Sequence, residues 1–310
     1  MEEKIEIMNL LQSKQILEHE LQTLAYGSVE IRENNSNKYI YVHYREDGVA
    51  LTKYVGEYSD ELYNLVLNNS IKAKQLKKQI REITKKLKQL KYVEEELTEK
   101  VEQNIDFAKR HLVDTIYKQA ILEGVATTFA DTENIIEGGK VNNMTSEDIL
   151  KIVNLKHAWE FILNKNVILS NTNFALLCEI NKMVEEGFYY TAGKIRNTPV
   201  TIGGTTWKPD LPIESIIKEE LEEIFNKELN DVDRAIELLL YTMKKQVFID
   251  GNKRTAVIYS NHYLISKGKG IIAIPAEMTQ EFKDLLIPYY EGKDDNKIKR
   301  FIKEKCYIAI

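Results

Sequence analysis

Gln246-Val-Phe-Ile-Asp-Gly-Asn-Lys-Arg-Thr255 interrupts two helical patterns with a short charged turn. Ahead of it, Ile236, Leu239, Leu240, Met243 and Val247 recur at the three-and-four spacing of an amphipathic helix. Behind it a second apolar run, Ala256-Val-Ile-Tyr259 and then Tyr263-Leu-Ile265, predicts another helix. Between the two, a glycine lets the backbone approach a ligand closely, and the start of the second helix presents unpaired N–H groups. Lys253 and Arg254 add cationic donors, so the turn reads as a phosphate cradle. Asp250 is a hard oxygen ligand, suited to Mg²⁺ held jointly with phosphates.

The same ten residues resemble the signature of the Fic (Fido) family, His-x-Phe-x-[Asp/Glu]-[Gly/Ala]-Asn-[Gly/Lys]-Arg. The resemblance implies a mainly α fold, a Fic-type helix bundle with a β-hairpin flap. It also implies a protein that binds ATP and Mg²⁺ and transfers AMP to a protein hydroxyl, or phosphate in the Doc branch. Phe248 would anchor the loop, Asp250 would hold the metal, Gly251, Asn252 and Lys253 would cradle the phosphates, and Arg254 would pair with them. Two positions depart from the pattern. The family's general-base histidine falls on Gln246, an amide with no pKa near neutrality. The second arginine of the long form of the motif falls on Val257. The alternative to a transferase is therefore a catalytically inactive module that binds a nucleotide or a protein strand through the same loop.

Composition narrows the class. The 310 residues suffice for one large or two modest domains, and a net charge of −5 argues against a generally nucleic-acid-binding surface. Cys178 and Cys306 lie in apolar helical settings and read as core residues rather than a disulfide pair or zinc site. No apolar run is long enough to span a membrane and no signal-peptide pattern opens the chain, so the cytoplasm is the expected compartment.

Residues 1–100 are expected to form a separate α+β module and 101–310 the Fic domain. Helical spacing over residues 1–25 stops at Gly27. The period then changes to two, predicting strands at Ser28–Arg32, Lys38–Tyr44 and Val49–Val55, with turns at Asn34-Asn-Ser-Asn37 and Glu46-Asp-Gly48. From Ser59, read as a helix cap, to about Asn104 the pattern predicts one or two long helices, consistent with a helical hairpin or coiled coil packed on the sheet. Its middle is dense in lysine, from Lys72 to Lys91. A nucleic-acid patch is one reading; a solvated helix face balanced by Glu94-Glu-Glu96 is the preferred one.

In the second half, Ala192 to Pro209 reads as a hairpin turning at Gly203-Gly204. In the family, a flap at this place, after a Gly-x-x-Arg phrase such as Gly193-Lys-Ile-Arg196, pairs with an extended target segment. Arg196, Thr198, Val200 and Ile202 would then align the target's Ser, Thr or Tyr hydroxyl. Many Fic proteins also carry an inhibitory Ser/Thr-x-x-x-Glu-Gly/Asn phrase, and Thr128 with Glu133 resembles it in stretched form. An ordinary helix end is the equal alternative there. Partners are thus a hydroxyl-bearing protein, with a homodimer left open and no membrane.

Overall fold

The computed structural model describes residues 2–34, 37–46, 49–90, 97–142, 144–293 and 296–310. The two expected turns of the small sheet and the Glu94-Glu-Glu96 run fall partly or wholly outside these residues. Two compact units emerge, Met1–Glu94 and Glu95–Ile310.

The first unit opens with helix α1 (Glu2–Thr23), then strands β1 (Ser28–Asn34), β2 (Asn37–Glu46) and β3 (Val49–Glu57), and closes with helix α2 (Asp60–Gln89). The strands form an antiparallel sheet in the order β1-β2-β3. Alternation along β2 turns Ile40 and Val42 inward onto Val66 of α2, where Leu62 and Tyr63 also pack. Ser59 caps α2, its side chain accepting from the Leu62 N–H at 3.1 Å. Of the one or two helices expected after Ser59, the first unit holds one. Residues 60–89 form a single 30-residue helix, and its antiparallel partner is α1. A continuous stripe of Val66, Ala73, Leu76 and Leu87 gives α2 no reason to break.

The second unit is helical. In order come α3 (Glu99–Arg110), α4 (Leu112–Leu122), α5 (Phe129–Ile136), α6 (Ser146–Ile162), the single turn α7 (Lys165–Ile168) and α8 (Phe174–Val184). A loop then leads to α9 (Glu214–Asn226), α10 (Asp231–Lys245) and α11 (Asn252–Ser266). A 3-10 turn (Ala276–Met278), α12 (Thr279–Tyr290), α13 (Asn296–Phe301) and a π-type turn (Ile302–Cys306) finish the unit, with β4 (Ile271–Ile272) paired to β5 (Tyr307–Ile308). The centre is α11, whose residues from Arg254 to Ile265 are all buried, packed against α10, α8 and α6. Its buried polar groups are held by hydrogen bonds, Asn261 donating to the Val257 and Ile272 carbonyls (both 2.8 Å) and His262 to the Val167 carbonyl (2.8 Å). Both cysteines are free, and burial pushes each thiol up to about 12, which leaves them unreactive.

The expected flap hairpin differs. Residues 188–213 contain turns, including one at Gly203-Gly204, but no strand pair. Pro199 and Pro209 remove ladder donors, and the loop's second half docks instead on α12. Trp207 stacks on Tyr290 at 5.8 Å, and Thr205 donates to Glu291 at 2.6 Å. Pro212 holds Leu211 out of the helical region, and the next helix begins at Glu214. Among the described residues no helix is long and apolar enough to cross a membrane.

Candidate active site

Helix α10 ends at Gln246, the one described non-glycine residue with positive φ (49°). This left-handed turn sends Val247 and Phe248 into the core, where they are 0% and 1% exposed. Asn252 staples the loop: its Oδ1 accepts from the Phe248 N–H at 3.0 Å and its Nδ2 donates to the Phe248 carbonyl at 2.9 Å. Its amide therefore shapes the turn rather than facing a ligand. Gly251 caps α11 at φ 72°, with no side chain capping the helix start. A Cβ there would fall on the Glu185 carboxylate, so the glycine is required twice, by conformation and by space.

Around this turn the charges are concentrated. Arg254 is 3% exposed, and its Nη2 lies 2.7 Å from Glu185 Oε1 and 3.7 Å from Asp250 Oδ2. Its Nε lies 3.6 Å from Glu123 Oε2, while Lys253 Nζ sits 3.5 Å from Glu123 Oε1. These are ion pairs by distance but not aligned hydrogen bonds. Arg254 Nε and Nη1 are buried without a hydrogen-bond partner among the described residues, as are Glu123 Oε1 and Glu185 Oε1. Burial raises Glu185 to about 7, against the pull of Arg254 and with the push of Asp250 and Glu123. Asp250 is half exposed, and its Oδ1 accepts from the Gly251 N–H at 2.7 Å.

Two further groups hold the turn. Asn181 on α8 donates to the Asp250 carbonyl (3.0 Å) and to Thr255 (3.1 Å), and accepts from Gly193 (2.9 Å). Gln119 on α4 donates to the Arg254 carbonyl at 2.8 Å and is itself held by the Trp159 indole at 2.9 Å.

The structure thus gathers Asp250, Gly251, Lys253 and Arg254 at one helix start and places Phe248 beneath it. Gln246 is adjacent, its Nε2 donating to the Met243 carbonyl (2.6 Å) and its Oε1 accepting from Asn252 (3.2 Å). Arg196 lies at the loop base rather than on a presenting edge. It is 4% exposed and donates to the carbonyls of Gln246 (2.6 Å), Thr198 (2.8 Å) and Asp210 (2.6 Å). Thr198 is exposed, and Val200 and Ile202 are half-buried.

Thr128 and Glu133 are not brought to the turn. Thr128 caps α5, accepting from the Asp131 N–H at 3.1 Å, and Glu133 is exposed on that helix. The carboxylate reaching Lys253 and Arg254 from this side is Glu123, at the end of α4. The inhibitory spacing is met there as Gln119-Ala-Ile-Leu-Glu123-Gly124, with glutamine where the phrase has serine or threonine. That Glu-Gly pair closing an apolar helix was the signal available in the sequence. Glu185 and Asn181 carried none, because their roles arise from α8 packing beside the turn.

The second unit is a helix bundle with a charged turn between two central helices, and its likeness to known proteins agrees with a Fic-type fold. Residues 171–264 match the model of the Fic/DOC family. Among solved structures, Fic-1 of C. elegans aligns with TM-score 0.52 and 17% identity, over 79% of this chain and 77% of that one. A Fic-domain signaling protein of Bacteroides thetaiotaomicron aligns with TM-score 0.53 and 18% identity, over 67% and 85%. A Fic family protein of Desulfovibrio desulfuricans gives 0.52 and 12%, over 68% and 73%. No curated protein sequence matches the chain.

Proposed function

We propose that this chain binds ATP with Mg²⁺ at the Asp250–Arg254 turn and transfers AMP, or in a variant reaction phosphate, to a Ser, Thr or Tyr hydroxyl of a protein. The observation that carries this reading is Arg254, a buried guanidinium with unaligned donors beside an uncapped helix start. Such a group is satisfied by the oxygens of a phosphate. Asp250 fits a metal held jointly with phosphates, being a half-exposed carboxylate at the same turn; the bound metal would supply charge neutralisation there. No cluster of three or more metal-ligating side chains occurs among the described residues, so the phosphates would complete the shell.

In AMP transfer the target oxygen forms a bond to the α-phosphorus and the bond to pyrophosphate breaks. The hydroxyl proton passes to water or a phosphate oxygen, since Gln246 cannot accept it. Lack of a general base costs on the order of 10²–10⁴ in rate. Glu123 restrains the site by neutralising Lys253 and Arg254 until a nucleotide displaces it. Incubation with α- and γ-labelled ATP and cell extract tests the reading. Label from the α-phosphate that increases in Gln246→His supports AMP transfer, and label from the γ-phosphate supports phosphate transfer. A histidine variant that labels nothing overturns both.

A second reading, a nucleotide- or protein-binding module without turnover, is favoured by Gln246 itself. Both ends of its amide are committed to internal hydrogen bonds. Calorimetric ATP binding that is lost in Asp250→Ala, without label transfer by wild type, supports this alternative.

A further inference from the structure

The lysine-rich helix and tyrosine-rich strands of the first unit play no part in the site above. Within that unit, α1, β2, β3 and α2 enclose a half-open cavity of about 570 Å³. Leu21, Leu24, Val42 and Ile80 give it an apolar floor. Tyr26 and Tyr44 form one wall with ring centroids 5.7 Å apart, and Lys77 Nζ sits 4.6 Å over the Tyr26 ring. Lys53 and Arg81 complete a cationic rim, and neither has an ion-pair partner among the described residues. The one lining carboxylate, Glu18, is engaged on its own helix by Lys14 (3.6 Å) and Gln15 (3.1 Å).

Lys72, one turn earlier on α2, is neutralised by Glu20 at 2.6 Å. A second hollow between the same helices, about 390 Å³, offers Lys86 against Glu82 and no aromatic ring. It presents no surplus charge for an anion and nothing on which to stack. The larger cavity presents both, at a size within the roughly 300–1,000 Å³ typical of small-molecule sites.

We propose that this cavity is a second binding site, separate from the signature turn, for a nucleotide unit. Its base would lie against Tyr26 and Tyr44, and its phosphate would meet Lys53, Lys77 and Arg81. Stacking on tyrosine tolerates any base, while clustered Lys and Arg recognise phosphate oxygens. The ligand is either a free nucleotide or an unpaired nucleotide of a single strand, which share this chemistry.

The full-length protein is irradiated with 8-azido-AMP and the labelled peptides are mapped. Label is expected on peptides containing Tyr26 or Tyr44. The doubly substituted Lys77→Glu/Arg81→Glu protein should lose it by about tenfold or more, with label on the 246–254 peptide unchanged. Lys53→Glu, at an exposed strand position, gives the same readout should the double variant misfold. Displacement by oligothymidylate at lower concentration than by AMP assigns the site to single-stranded nucleic acid, and the reverse order assigns it to free nucleotide. Absence of label from the first unit, or label insensitive to both charge reversals, overturns the proposal. Neither result bears on the 246–254 peptide, which reports the signature turn separately.

Discussion

Glu185 is a nearly fully buried carboxylate paired with the Arg254 guanidinium at 2.7 Å. Its pKa of about 7 means that the folded protein holds a proton there up to neutral pH, whereas the unfolded chain releases it near 4.5. Stability therefore declines as pH rises from about 4.5 through 7, by at most about 3 kcal/mol. Buried His262 works in the opposite sense. Its Nδ1 contacts Thr172 (2.9 Å), its Nε2 donates to the Val167 carbonyl (2.8 Å), and burial lowers it to about 4. Its contribution is complete above pH 6.5 and is lost as pH falls toward 4. The two slopes oppose one another between 4.5 and 6.5. Denaturant titrations across pH should show Glu185→Gln losing stability toward acid more steeply than wild type in that window. An unchanged profile in the variant would remove Glu185 from this account. At the same scale, Glu123→Gln frees Lys253 and Arg254, and should raise nucleotide affinity or label transfer severalfold. A variant with weaker binding contradicts the restraining role.

The helix–turn–helix of α10 and α11 is the element that makes the site. Its two left-handed residues, Gln246 and Gly251, reverse the chain within six positions, and Asn252 holds the reversal closed. Gly251→Ala imposes left-handed strain of about 1–2 kcal/mol and drives a methyl group into Glu185. A double-mutant cycle with Glu185→Ala should recover the steric part but not the backbone part; full additivity would mean the two residues do not meet. Gln246→His should be accommodated, since histidine is among the residues enriched at positive φ. The loop after α8 depends on Arg196, whose planar fork serves several carbonyls at once. Lysine cannot reproduce that fork. Limited proteolysis should cut residues 197–213 faster in Arg196→Lys, with the melting temperature little changed.

For the whole molecule, the two units have separate cores of very different size. The larger runs through α3 to the C-terminal strand, while the smaller centres on Ile40, Val42 and Val66. Residues 95–310 expressed alone should melt cooperatively by circular dichroism, and residues 1–94 should melt earlier and less sharply. A fragment 95–310 without a cooperative transition would show that its core needs the first unit.

The signature turn, its helices, the three strands and the cap at Ser59 were legible in the sequence, because each rests on local periodicity or on a residue type suited to one backbone state. What pairs across the chain was not. Helix α2 could not announce that α1 would be its partner, nor residues 192–209 that α12 would hold them as a loop instead of a hairpin. Glu123 and Glu185 lie 131 and 69 positions before Arg254 in the sequence, yet both carboxylates reach it in the fold. From the sequence it followed that a glycine-containing, cationic turn would sit between two helices. Only the tertiary structure decided which carboxylates oppose it, because charges distant along the chain meet only through the packing of α4 and α8 beside α11.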